Sequence, residues 1–167
     1  MMINYDYYDS PLGQILLTAN EVALTGLHFV GEKYYPGISP TWQQRADVDA
    51  LQKTAEQLDE YFAGIRQAFD ITLAPEGTVF QRGVWQALTN LGFGETVSYA
   101  QLAQRIGNPK AVRAVGAANG RNPISIIVPC HRVIGANGAL TGYAGGLARK
   151  EALLKLEAMA AEFRLAS

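Results

Sequence analysis

Cysteine is almost absent from this chain, since its 167 residues include only Cys130. A single cysteine excludes an internal disulfide framework, and a free thiol is typical of reducing compartments. Histidine is also scarce, with two residues. His28 has no cysteine or carboxylate partner at metal-ligand spacing, so we predict that it is structural and that its half of the chain binds no metal.

Long apolar runs are missing as well. No stretch approaches the roughly 20 apolar residues of a membrane span. The N-terminus has tyrosines and aspartates where a signal peptide needs basic and then continuously apolar residues. We therefore expect a soluble cytoplasmic protein with no membrane contact. At 49% hydrophobic residues, the chain can bury a core of one domain or two small ones.

Acidic residues are absent from 96–150, because 12 of the 15 acids precede residue 96 and three follow residue 150. The same segment contains seven cations: Arg105, Lys110, Arg113, Arg121, Arg132, Arg149 and Lys150. This distribution suits a phosphate-binding surface, although the net charge of −1 conceals it. The alternative is an ordinary solvated face.

Residues 1–76 are predicted to form an N-terminal α/β domain. Short runs rich in tyrosine, leucine and β-branched residues predict two or three antiparallel strands within 2–29, including a hairpin across Asn20-Glu21. Apolar residues at helical spacing predict a helix over 43–63, and alternation predicts a strand over 69–73. We expect a linker at 75–77 and no chemistry from this domain.

Residues 77–167 are predicted to form a mainly helical domain, which makes the fold class α+β. Thr78 with Gln81 and Ser98 with Gln101 are capping-box patterns that begin two helices, ending near residues 92 and 106. A third helix is predicted over 110–119, and its short connection to the second indicates a helix-turn-helix. The last helix is predicted over 147–163, with Leu153, Leu156, Ala160 and Phe163 on one stripe.

The third predicted helix has little side-chain bulk. Its small residues are Ala111, Ala114, Gly116, Ala117 and Ala118, and Arg113 is its one large cation. Small residues on one face often indicate tight packing against a neighbouring helix. They would equally let the helix approach a narrow DNA minor groove, about 6 Å wide.

Four apolar residues precede Pro129 and Cys130 in the segment NPISIIVPCHR, residues 122–132. The pattern predicts a buried strand that ends at the proline. Lone buried cysteines are usually inert filler, but imidazole and guanidinium groups nearby favour the thiolate. Neighbouring side chains of a strand point to opposite faces, so a turn or a water would have to connect Cys130 and His131.

These motifs resemble the O6-alkylguanine-DNA alkyltransferases, in particular the bacterial stand-alone type. The matching segments are IVPCHRVIG at 127–135, GNPKAVRAVG upstream and TGYAGGLARKEALLKLE downstream, within about 78–160. The resemblance implies a ribonuclease H-like N-terminal domain and no cofactor. Some relatives bind zinc through cysteines in that domain, but those cysteines are missing here.

The resemblance also implies roles for four residues. Cys130 would accept the alkyl group, His131 would act as its base through a water, and Glu157 would orient His131. Tyr99 would donate a proton to the departing guanine. Each molecule would react once with O6-alkylguanine, or with O4-alkylthymine, because a thioether does not revert.

Further residues would bind DNA or line the lesion pocket. Arg113 would enter the duplex and replace an extruded nucleotide; the other implied DNA-binding residues are Lys110, Ala111, Ala114, Gly116, Ala117 and Arg121. The implied pocket residues are Tyr99, Ser125, Val133, Tyr143, Ala144 and Gly145, with Asn122 as structural support. Ser125 and Ala144 depart from the vertebrate pattern of proline and serine. The expected partner is double-stranded DNA containing O6-alkylguanine, bound by a monomer.

Two other readings compete. One is a non-catalytic alkyl-lesion-binding sensor, against which Cys130 argues, because such relatives have replaced the cysteine. The other is a Cys-His hydrolase, which would need an oxyanion hole and product release.

Overall fold

Three long strands and one short strand form the N-terminal sheet of this computed structural model, which describes residues 2–166 and the side chains of 2–163. They are β1 (Asn4–Ser10), β2 (Gly13–Ala19), β3 (Leu24–Phe29) and β4 (Gln43–Gln44), in the order β3-β2-β1-β4. β2 is antiparallel to both β1 and β3, with Leu17 opposite Asp6 and Leu27. The predicted strands and the hairpin across Asn20-Glu21 are confirmed.

Helix α1 (Asp49–Phe62) packs its buried residues Leu51, Leu58 and Tyr61 into the core. It begins six residues later than the predicted 43–63, because residues 43–44 pair with β1 as the parallel strand β4. The predicted strand over 69–73 is also wrong. It is reduced to a single bridge between Leu73 and Leu24, because the side chain of Gln57 hydrogen-bonds the backbone of Asp70 in place of a neighbouring strand.

The C-terminal half is mainly helical, as predicted. Its elements are α2 (Val79–Leu88), β5 (Val97–Ser98), α3 (Tyr99–Arg105), α4 (Val112–Gly120), β6 (Val133–Ile134) and α5 (Leu147–Ala166). Both predicted capping boxes form, at Thr78 and at Ser98. α3 packs against α4 across a turn in which Gly107 has a φ of 82°. The helix-turn-helix is therefore confirmed.

The strand predicted before Cys130 is wrong. Ile124 makes one bridge to Leu27, and residues 125–128 form turns in which Ile126 has a φ of 73°. Asn122 causes the difference, because its side chain accepts from the Ile124 amide at 3.0 Å and donates to the Val128 carbonyl at 2.7 Å. The side chain closes the loop, which satisfies backbone groups that a strand would pair with a neighbour.

Helix α5 starts at the predicted residue and buries Leu153 fully, with Leu156 and Ala160 partly buried. Phe163 was wrongly placed on the buried stripe, since its side chain is 75% exposed. None of the helices within residues 2–166 has the length and apolar character needed to cross a membrane.

Trp85 connects α2 to α4 by donating its indole N–H to the Ala118 carbonyl at 2.8 Å. We expect Trp85→Phe to lower the free energy of unfolding by about 1–3 kcal/mol, because it removes a buried hydrogen bond and leaves a small cavity. Urea denaturation measures the change. Trp42→Phe is the control, since that indole is only partly buried, and equal effects of the two substitutions would contradict the prediction.

Candidate active site

A single 3-10 turn, Cys130–Arg132, places the predicted nucleophile and base. Pro129 precedes the turn, and its carbonyl accepts from the Arg132 amide at 3.0 Å. The chain therefore turns at Cys130, so the opposite-face geometry of a strand does not apply. Asn122, the predicted structural support, closes the loop that leads into this turn.

Glu157 of α5 and His131 come together although 26 residues separate them. His131 Nε2 lies 2.7 Å from Glu157 Oε2. The other ring nitrogen, Nδ1, is buried and has no hydrogen-bond partner among the described residues. One nitrogen of the imidazole is thus bound to a carboxylate while the other remains available.

Two further side chains bind the same carboxylate. Arg132 donates Nε to Oε1 at 2.8 Å and Nη2 to Oε2 at 3.0 Å, and Tyr61 of α1 donates its hydroxyl to Oε2 at 2.8 Å. Glu157 is 1% exposed. Burial raises its pKa, but the hydrogen bonds and charges of His131 and Arg132 outweigh burial and lower the pKa to about 2.

The ionised Glu157 decides the tautomer of His131. A carboxylate can only accept, so Nε2 carries the hydrogen and Nδ1 carries the free lone pair. Burial lowers the pKa of His131, opposed by its bond to Glu157. The resting imidazole is therefore neutral and has an unoccupied basic nitrogen.

Cys130 is only 5% exposed, and burial raises the pKa of its thiol to about 11. The Asn122 side chain and the Lys150 charge lower that pKa without reversing the shift. The thiol is therefore protonated at rest near neutral pH. Nucleophilic chemistry at this sulfur requires a base, and His131 is the adjacent residue that has one.

A cleft of about 610 Å³ has Tyr99, Tyr143 and Ala144 in its walls together with Gly116 and Ala117 of α4, whereas Cys130 and His131 are not among its lining residues. Burial, followed by the nearby Cys130 and Glu32, raises the pKa of Tyr143. Six predicted residues, these five and Arg121, are thus brought to one cleft.

The remaining predicted pocket residues do not line that cleft. Ser125 and Val133 are 2% and 0% exposed, and the position of a Cβ on Gly145 would lie 2.8 Å from the Tyr143 ring. The Val133 carbonyl accepts from Lys150 Nζ at 2.6 Å. The Tyr99 hydroxyl donates to the Thr141 carbonyl at 3.1 Å.

The predicted DNA-binding residues of α4 and its flanking turns are exposed or half-buried, whereas the packing residues of α4 are buried. Lys110, Arg113, Ala114, Ala117 and Arg121 are exposed, and Ala111 and Gly116 are half-buried. Val115, Ala118 and Asn119 face the interior. Ala118 is therefore explained by packing, whereas the exposed small residues have no such explanation.

Sequence reasoning missed several site residues. Arg132, Tyr61 and Lys150 all bond groups distant in sequence, and Lys150 donates to the carbonyls of both Val133 and Thr141 at 2.6 Å. Burial lowers the pKa of Lys150 to about 8. The N-terminal half, which was expected to offer no chemistry, supplies this hydrogen bond from Tyr61 to Glu157. Only the PCHR motif itself hinted at Arg132.

His28 does have a carboxylate neighbour, contrary to the sequence reading. Its Nδ1 lies 3.7 Å from Glu32 Oε1, which also accepts from the Phe29 amide at 2.6 Å. Burial raises the pKa of Glu32 to about 7 and lowers that of His28 to about 4. Within the part of the chain described, no three His, Cys, Asp or Glu side chains gather as metal ligands.

Comparisons with known proteins give one consistent result. The family model described as "6-O-methylguanine DNA methyltransferase, DNA binding domain" matches residues 79–159, and "6-O-methylguanine DNA methyltransferase, ribonuclease-like domain" matches residues 3–75. The methylated-DNA–protein-cysteine methyltransferase of Methanosarcina acetivorans is 52% identical over 153 residues, 92% of this chain and 97% of the relative. The Haemophilus influenzae protein of that name is 47% identical, covering 92% of this chain and 85% of its own.

Solved structures agree with these relatives. The crystal structure of Mycobacterium tuberculosis OGT in complex with DNA has a TM-score of 0.86 at 47% identity, with 94% of each chain covered. The structure named Mycobacterium tuberculosis O6-methylguanine methyltransferase has a TM-score of 0.84 at 47% identity, covering 95% of this chain and 94% of the other.

The buried Glu32 yields a stability prediction. The pKa of Glu32 is about 7 in the folded protein and exceeds the ordinary value of 4.5. The folded state therefore binds the proton more tightly than the unfolded state, and Glu32 lowers the free energy of unfolding as pH rises between these two pKa values. Glu32→Gln should match the parent near pH 4.5 and be more stable by about 2–3 kcal/mol at pH 8. Urea unfolding at both pH values tests it, with the exposed Glu21→Gln as control. A difference independent of pH would contradict the prediction.

Proposed function

The chain belongs to the family of 6-O-methylguanine DNA methyltransferases, and we propose that Cys130 accepts the alkyl group in a one-step transfer from damaged DNA. The resemblance read from the sequence is confirmed. The enzyme is a methylated-DNA–protein-cysteine methyltransferase, to judge from relatives about 50% identical over most of the chain. DNA is its proposed partner, as in the OGT complex.

The proposed reaction transfers one proton and one alkyl group. The Cys130 thiol gives its proton through a water to His131 Nδ1, and Glu157 stabilises the imidazolium that forms. The thiolate attacks the alkyl carbon, a C–S bond forms, and the C–O6 bond breaks with its electron pair moving into the guanine. The Tyr99 hydroxyl donates a proton to the departing base and regains one through solvent as the His131 imidazolium releases its own, so the net proton transfer is from the Cys130 thiol to guanine. The product thioether has no leaving path, so each molecule reacts once.

The observation that carries this proposal is the state of His131. Its Nε2 is committed to a carboxylate while Nδ1 is buried without a partner among the described residues. An unsatisfied buried nitrogen costs free energy. A water between Nδ1 and the Cys130 thiol would satisfy this nitrogen and provide the path for the thiol proton.

We further propose that the target nucleotide is extruded from the duplex and enters the cleft beside Tyr99 and Tyr143. Extrusion costs a few kcal/mol, and an inserted side chain recovers part of it. Arg113 is exposed on α4, and the adjacent Ala114 and Ala117 leave its helix slim enough for a narrow groove. The same cleft is proposed to accept O4-alkylthymine.

The two halves are proposed to act as separate units, residues 1–76 as a structural domain and 77–167 as the reactive one. Supporting residues cross between them, since Tyr61 contacts Glu157 and Leu27 pairs with Ile124.

Transfer to protein distinguishes this proposal from its rivals. With duplex DNA carrying one labelled O6-methylguanine, we expect one equivalent of label on the protein and none after Cys130→Ser. The reaction should stop at that point, because the sulfur is consumed. Binding without transfer would support a lesion sensor, and labelled small product released with turnover would support a hydrolase; either outcome overturns the proposal.

Arg113→Ala tests extrusion. We expect it to slow repair of duplex DNA by about tenfold or more, because the unstacked duplex loses its inserted side chain, while reaction with free O6-methylguanine is much less affected. Arg82→Ala, which removes an exposed arginine of α2, is the matched control. Single-turnover kinetics on both substrates give the comparison, and equal losses on the two substrates would contradict the role.

A further inference from the structure

Most cations of the protein are already paired. Six of them form ion pairs with carboxylates: Arg45, Lys53, Arg66, Arg105, Arg132 and Lys155. Arg149 and Lys150 instead donate to backbone carbonyls. Apart from Arg149 and Lys150, the cations that form no ion pair within residues 2–163 are Lys33, Arg82, Lys110, Arg113 and Arg121. Three of these five are proposed DNA contacts, and Lys33 is the one that comes from the acidic N-terminal half.

Lys33 and Arg121 meet at one aromatic ring. The Arg121 guanidinium carbon lies 4.0 Å from the centroid of the Tyr34 ring, and Lys33 Nζ lies 5.1 Å from it. The ring is 48% exposed, so the two cations gather at the surface. Like charges held around one ring repel each other, and an anion would relieve that repulsion.

The backbone at this position is strained. Tyr34 has a φ of 66°, a left-handed conformation that costs a non-glycine residue on the order of 1–3 kcal/mol. Such strain persists where surrounding contacts impose it and is frequent at ligand sites. The neighbouring amide of Lys33 donates to the Ala144 carbonyl at 3.1 Å, which ties this turn to the wall of the cleft.

Lys33, Tyr34 and Arg121 all line the 610 Å³ cleft that contains Tyr99 and Tyr143. Two carboxylates lie near this corner. The Glu32 side chain is 2% exposed and faces the interior, and Glu76 lines an adjoining cleft of about 420 Å³. Neither is within ion-pair distance of Lys33 or Arg121, so no carboxylate within residues 2–163 neutralises either cation.

We propose that Lys33, Tyr34 and Arg121 form a subsite for a backbone phosphate of the DNA strand that delivers its nucleotide to the cleft. The inference rests on the proposed function and adds to it a contact from the N-terminal half. A phosphodiester fits because two cationic donors meet at this cleft. One is the Lys33 ammonium of the N-terminal half, and the other is the Arg121 guanidinium of the C-terminal half. The subsite continues the surface of Arg113 and Lys110 rather than forming a separate one.

The test compares Lys33→Gln, Lys33→Arg and the matched Arg82→Ala. Single-turnover alkyl transfer is measured with duplex DNA carrying O6-methylguanine and with the free base, and duplex affinity is measured against salt. Lys33→Gln should lower the ratio of the duplex rate constant to the free-base rate constant by about tenfold, the loss of one charge-assisted hydrogen bond. Its logarithmic salt slope should become shallower by about 0.7–0.9 relative to the parent, the value of one phosphate contact.

Lys33→Arg should restore both the ratio and the slope, which a merely structural role of the turn would not explain. The subsite is overturned if Lys33→Gln changes the ratio and the slope no more than Arg82→Ala does. The inference also fails if the arginine variant behaves like the glutamine variant. Failure of the proposed function looks different, because the parent protein itself would then transfer no label from either substrate.

Discussion

The buried carboxylate of Glu157 is the constraint on which the rest of the site depends. Removing a carboxylate from water costs several kcal/mol unless its oxygens are bound. Here His131, Arg132 and Tyr61 bind them at 2.7–3.0 Å. These partners come from the 3-10 turn and from α1, so one charge joins α5 to both halves of the chain. The same charge fixes which nitrogen of His131 is basic.

A protonated, nearly sealed thiol suits the proposal that each molecule reacts once. With a pKa of about 11, Cys130 presents little thiolate to solvent, so oxidants and adventitious electrophiles find a poor nucleophile. In the proposed mechanism, His131 acts as the base only where a water or substrate completes the path from the sulfur. Lys150 adds a positive charge close to the sulfur while fixing the carbonyls of Val133 and Thr141. Burial thus keeps the sulfur protonated, and the Lys150 charge lowers the pKa of the thiol only in part.

Sequence patterns correctly predicted the features that depend on interactions within a few residues, such as helix starts. Thr78 and Ser98 begin helices because each satisfies amide groups within one turn, and both capping boxes form. The apolar run before Pro129 led to the wrong prediction of a strand. The Asn122 side chain alone satisfies the backbone groups that a strand would have paired with a neighbour. The hydrogen bonds of Tyr61 and Lys150 could not be predicted, because their partners Glu157 and Val133 are 96 and 17 residues away in the sequence. No periodic sequence pattern indicates contacts at such separations.

Both halves of the chain supply groups that contact the candidate active site. Tyr61 reaches Glu157 from α1, and the Lys33 amide bonds the Ala144 carbonyl at the cleft. A sheet whose strand β3 pairs Leu27 with Ile124 is rigidly connected to the loop before Cys130. A displacement of about 1 Å can slow a reaction about a hundredfold. Under the proposed mechanism, a domain without a nucleophile of its own would therefore still contribute to the reaction geometry. Its value to the protein lies in the groups it holds against the second half.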